Sequence, residues 1–103
     1  MPLHDKTLSV YKEIEISYRE LANALLRLGY HKAASDKYFR YINNEHNSDI
    51  ILPLPRKSDE EKVNKAYFVA LSYNMEWKGV LNHMDDLAKM IERDRETTQA
   101  ATA

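Results

Sequence analysis

Residues 17–53 read SYRELANALLRLGYHKAASDKYFRYINNEHNSDIILP, and this stretch decides the architecture. Ser17 followed three residues later by Glu20 forms a capping box, in which the hydroxyl and the carboxylate each satisfy an otherwise free backbone N–H. A helix therefore begins near Tyr18. Tyr18, Leu21, Ala22, Leu25 and Leu28 line one face of it, while Arg19, Glu20, Asn23 and Arg27 line the other. Gly29 supplies the residue that tolerates the left-handed conformation in which helices commonly end. Beyond it the pattern shortens. Tyr30 to Ala34 and Lys37 to Ile42 read as two short strands joined at Ser35-Asp36, and Asn43 to Ser48 is a polar loop rich in turn formers. Asp49 to Leu54 reads as a third strand. Its Ile50-Ile51-Leu52 core suits burial, and Pro53, which lacks an N–H, belongs at a strand end.

Working outward, Ser58 with Glu61 repeats the capping-box spacing, and a second helix is expected from Asp59 to about Tyr73. Its apolar residues cover more than one face, which places it between the sheet and another element. Trp77, Val80, Leu81, Met84, Leu87, Ala88 and Ile91 then recur at spacings of three and four, which predicts a third, amphipathic helix ending near Arg95. Residues 96–103 read as a flexible tail. On the amino-terminal side, Leu8, Val10, Ile14 and Ile16 alternate as on a strand, although Leu8, Tyr11, Ile14 and Tyr18 also fit a helical period. The extended reading is favoured for this segment, so residues 1–16 form an extension, 17–95 one domain, and 96–103 the tail. The order of helix, three short antiparallel strands and helix, with an added carboxy-terminal helix, is an α+β domain with its helices on one face of the sheet.

The chain has 103 residues, enough for one domain, and its 15 Lys and Arg against 16 Asp and Glu leave a net charge of -1. With no cysteine, disulfides, thiolate metal sites and cysteine nucleophiles are excluded. No apolar run approaches a membrane span and the first residues do not resemble a secretory signal, so the expected compartment is the cytoplasm. Two glycines cannot make a phosphate-binding loop, and no serine-hydrolase or zinc-protease motif occurs. No cofactor or metal is expected. Charge is nevertheless polarised: Arg27 to Lys57 carries six bases and three acids, whereas Ser58 onward carries six bases and nine acids.

The run from Arg19 to Pro53, with its leucine-rich helix, Leu28-Gly29-Tyr30, a strand ending Phe39-Arg40-Tyr41, a polar hairpin and Ile50-Ile51-Leu52-Pro53, resembles the HicA (YcfA-like) toxin family. That resemblance implies a double-stranded-RNA-binding-like fold, mRNA cleavage in active members and a partner antitoxin. It also implies a catalytic histidine within a Gly-Ser-His run on the second strand, where this chain has Asp36-Lys37-Tyr38. A neutral imidazole can deprotonate a ribose hydroxyl near pH 7, whereas a phenol with a pKa near ~10 is a poor base. HicA-type cleavage is therefore not expected to carry over.

Candidate residues follow from these patterns. Tyr38 and His46 are the candidates for a rearranged ribonuclease site, although a loop histidine such as His46, or His31 at a strand start, is more often simply solvated. Lys32, Lys37, Arg40 and Tyr41 could contact phosphates and stack bases of structured RNA. The opposing reading makes the aromatics packing residues and the bases a solvated face. Trp77, Leu81, Met84 and Ile91 could pair with an antitoxin-like protein or a second copy, or could pack on their own domain. The expected function is a non-catalytic interaction module.

Overall fold

The computed structural model describes residues 14–102, so the part of the extension before Ile14 lies outside the described residues, as does Ala103. Helix α1 (Tyr18–Arg27) starts as its sequence requires: Ser17 Oγ accepts from the Glu20 N–H at 3.1 Å, and the Glu20 carboxylate accepts from the Ser17 N–H at 3.0 Å. It ends where Gly29 turns to a φ of +97°, and the Tyr30 N–H closes back on the Leu25 carbonyl at 3.0 Å.

Strands β1 (His31–Ala34), β2 (Tyr38–Asn43) and β3 (Ser48–Pro53) form one antiparallel sheet in that order, within a residue of the expected boundaries. The register pairs Lys32 with Tyr41, and Tyr41 with Ile50. Because side chains alternate, Tyr41, Asn43, Ser48, Ile50 and Leu52 face the helices, while Arg40, Asp49 and Ile51 face away from them. Asn47 adopts a φ of 54° in the β2–β3 loop, a left-handed position that asparagine tolerates better than most residues.

Two helices complete the inner layer, α2 (Lys65–Trp77) and α3 (Asp86–Thr102). Leu21 and Leu25 from α1, Leu52 from β3, Met75 from α2, and Leu87 and Ile91 from α3 meet in a fully buried core. Ile14 and Ile16 join it, so the packed domain begins before Ser17.

The expected start of α2 is wrong by six residues. The Ser58 carbonyl accepts from the Glu61 N–H at 3.1 Å in a tight turn, and the Glu61 carboxylate accepts from the Arg56 N–H at 2.8 Å. The Glu61 carbonyl then accepts from the Tyr18 N–H at 3.0 Å, and the Val63 N–H donates to the Ile16 carbonyl at 2.7 Å. These backbone groups bridge Ser17 and Lys62 in antiparallel fashion and are lost to any helix. Asn64 provides the actual cap, its side chain accepting from the Ala66 N–H at 2.8 Å.

The single helix expected from Trp77 to Arg95 is also divided. Gly79, at a φ of +81°, ends α2, and the N–H groups of Val80 and Leu81 both return to the Met75 carbonyl. Trp77 thus closes α2, Leu81 and Met84 lie in the connection, and Ile91 lies on α3. Leu81 and Ile91 are buried, and Met84 packs against the same core, which is why spacings of three and four persist across the break. At its other end α3 continues through Thr102 instead of stopping near Arg95, since residues 96–102 include no glycine or proline to halt it. None of the described helices is long and apolar enough to cross a membrane.

Candidate functional site

The hairpin residues expected to meet RNA do not share a face. Tyr41 points into the core at 2% exposure, where burial pushes its phenol pKa up, so it cannot stack on a base. Lys32 shares that face of the sheet but sits at its β1 margin, with its ammonium 3.7 Å from the Phe39 ring centre. Arg40 points to the opposite face, where its Nε donates to both oxygens of Asp49 at 3.0 Å. That hydrogen bond, joined by the Arg40 charge, lowers the Asp49 carboxyl pKa, and the pair cancels the positive charge that a phosphate would need. Lys37 stands in the β1–β2 turn, its N–H donating to Ser35 Oγ at 3.2 Å.

Tyr38 and His46 are separated rather than assembled. Tyr38 opens β2 on the outward face, and His46 lies in the loop beyond the other end of that strand. Five residues of extended chain hold the two ends of β2 roughly 17 Å apart. The His46 N–H donates to Asn43 Oδ1 at 3.2 Å, and its ring packs beside Gly79. His31 lies exposed on β1. Among the described residues no group of histidines and carboxylates could hold a metal ion.

Charged residues gather instead between α1 and α3, around a cleft of about 760 Å³. There Arg95 Nη2 donates to Glu20 Oε1 at 2.9 Å and also meets the Glu15 carbonyl. The Arg95 hydrogen bond, aided by Ser17, holds the Glu20 carboxyl down at about 2. Arg19 reaches Asp59 and Glu60, each at 3.3 Å. Glu20, Asp59 and Glu60 thus have basic partners within the fold, and the cleft reads as a structural clasp.

A run of exposed aromatics lies on α2. Tyr67, Tyr73 and Trp77 are 48%, 58% and 77% exposed, and no charged residue occurs between Ala66 and Met75. Ala70, Tyr73, Asn74 and Trp77 line a shallow groove of about 390 Å³. At the amino-terminal end of α2, Tyr67 joins Tyr18, Pro53 and Leu54 in a second cleft of about 510 Å³, with Arg56 and Lys62 at its margin. An α2 ending near Tyr73 hides this face, because the spacing Tyr67, Ala70, Tyr73, Trp77 becomes visible only when the helix is carried to Trp77. Of the residues expected to bind a partner, Trp77 alone stands mostly in solvent. Leu81 and Ile91 serve the core, so within this fold those two side chains are not open to a partner. Comparison of the chain with protein-family models, with curated proteins and with solved structures finds no match.

Proposed function

We propose that the chain is a non-catalytic, HicA-like interaction module that engages another protein through the aromatic face of α2. The observation that carries this reading is the joint exposure of Tyr67, Tyr73 and Trp77 on one uncharged helix face. Large rigid aromatics contribute the most binding free energy per residue at protein interfaces. The separation of Tyr38 from His46 and the burial of Tyr41 argue against the alternatives of a rearranged ribonuclease or an RNA-binding hairpin.

Trp77 is the only tryptophan, so its emission reports directly on the proposed surface. Titration of the dilute protein with a HicB-like antitoxin should shift that emission to shorter wavelength. The variant Tyr73→Ala keeps the tryptophan reporter, removes a neighbouring aromatic, and should weaken the complex. End-labelled structured RNA, run on native and denaturing gels, should be neither shifted nor cut. Cleavage or a salt-sensitive shift that survives Trp77→Ala would overturn the reading.

A further inference from the structure

Helix α2, which carries the aromatic face, packs on β3, a strand at the margin of the sheet. Among the described residues, strand β3 has β2 as its only neighbour in the sheet, and no backbone hydrogen bond reaches its outer side. Alternate residues of such a strand direct their N–H and C=O groups outward, ready to pair. The two edges of the sheet differ. Strand β1 is four residues long and carries Lys32, whereas β3 is six residues long, holds Ile50-Ile51-Leu52, and has its one charge, Asp49, paired with Arg40. Natural sheets usually protect a long apolar edge with charge, proline or a bulge, and here Pro53 stands only at the end.

Helix α2 packs over the inner face of this edge strand and runs antiparallel to it. Asn74 Oδ1 accepts from Ser48 Oγ at 2.9 Å at one end of the strand, and Tyr67 lines a cleft with Pro53 and Leu54 at the other. Ala70 lies between them, level with the middle of the strand.

The geometry points to a second copy of this chain as the occupant, joined by antiparallel pairing of β3 with β3 across a two-fold axis. The inference rests on reading α2 as a docking face and adds the partner and the strand edge to it. Continuity of the pleat requires that residues of like orientation face each other, and pairing at Ile51 satisfies this while setting Asp49 against Pro53 of the other copy. The result is one six-stranded sheet. Because α2 is antiparallel to β3, the same axis brings the two α2 helices together near Ala70, whose small side chain permits close approach. Trp77, one turn beyond Asn74, then lies opposite the 510 Å³ cleft at Tyr67 and Leu54 of the other copy. An isologous contact makes each such insertion twice.

The exposed portions of Ile51, Tyr67 and Trp77 offer roughly 400 Å² of surface, about half of what one partner contributes to a standard stable interface. Pro53, Leu54, Ala70, Asn74 and the strand edge supply further surface.

The test uses the full chain. Sedimentation should show a concentration-dependent dimer that Ile51→Lys converts to monomer and that Trp77→Ala weakens by at least about 10-fold, with circular dichroism confirming that both variants fold. The chain has no cysteine, so Ile51→Cys gives a single reporter. Directly opposed residues in antiparallel strands lie about 4.5–5.5 Å apart at Cα, within disulfide range. Oxidation should therefore cross-link Ile51→Cys but not Ala33→Cys, which lies exposed on the far strand. A wild-type protein that stays monomeric, with no cross-link through Ile51→Cys, overturns the inference and leaves the α2 reading to its own titration. A dimer lost in Trp77→Ala but untouched by Ile51→Lys overturns the strand pairing and supports the α2 face. A dimer indifferent to both substitutions overturns the inference, places the contact on another surface, and likewise leaves the α2 reading to its own titration.

Discussion

Substitution of Glu20 separates two contributions that one carboxylate makes. The side chain closes the capping box of α1 and binds Arg95 from α3, across 75 residues of sequence. Glutamine preserves the capping geometry and removes the charge, whereas alanine removes both. The depression of the Glu20 pKa from 4.5 to about 2 would correspond to roughly 3 kcal/mol at full strength. Both partners keep contact with water, with side-chain exposures of 27% and 36%, so solvent screening reduces this to about 1–2 kcal/mol. Glu20→Gln should cost that amount, and Glu20→Ala about 1 kcal/mol more for the lost cap. Because the folded-state pKa is depressed, the stabilisation is complete above the unfolded value of 4.5 and disappears as pH falls through about 2. Urea unfolding followed by far-ultraviolet circular dichroism measures the difference at each pH. Wild type and Glu20→Gln should differ at pH 7 and converge through that acidic window. A glutamine variant as stable as wild type at pH 7, or a difference that does not shrink on acidification, would refute the clasp.

Three further substitutions test the interior. Ser48→Ala should cost about 1–3 kcal/mol in urea unfolding, because it removes the partner that both the Tyr30 hydroxyl, at 2.5 Å, and Asn74 use. Adding Tyr30→Phe should recover part of that loss, by removing the hydroxyl left without its partner. Leu87→Ala, at a fully buried position of α3, should cost about 2–5 kcal/mol and lower the thermal midpoint accordingly. Gly29→Ala should lose about 1 kcal/mol or more, since a φ of +97° strains any side chain and the new Cβ would stand 3.4 Å from Asn43 Nδ2.

What the sequence discloses depends on whether its local signals are met locally. Ser17, Glu20 and Gly29 bound α1 through groups within three to five residues of each other, and alternating apolar positions with polar turns at Ser35-Asp36 and residues 43–48 locate the three strands. Ser58 and Glu61 have the same spacing as Ser17 and Glu20, yet Glu61 bonds Arg56 and Tyr18 instead. That competition comes from residues 16–18, about forty positions away, and no reading of residues 58–61 alone contains it. Likewise the apolar spacing from Trp77 to Ile91 survives a helix break because a connecting loop fills the same core. The candidate site shares this fate. Trp77 stands out by type, but Tyr67 and Tyr73 join it only once α2 is known to run from Lys65 to Trp77. Tyr41 is ambiguous in sequence between stacking and packing, and the register against Ile50 resolves it toward packing.

The contact of α3 with α1 also bears on the order in which the molecule can assemble during synthesis. The hairpin from His31 to Pro53 pairs residues close in sequence and is complete as soon as they emerge. Leu21 and Leu25, made earlier, share a core with Leu87 and Ile91, and Glu20 must wait for Arg95. A growing chain therefore carries a finished sheet beside a helix that lacks its α3 partner until α3 itself is made. Premature termination before Leu87 would release a product with that apolar helix uncovered, a suitable substrate for quality-control proteases.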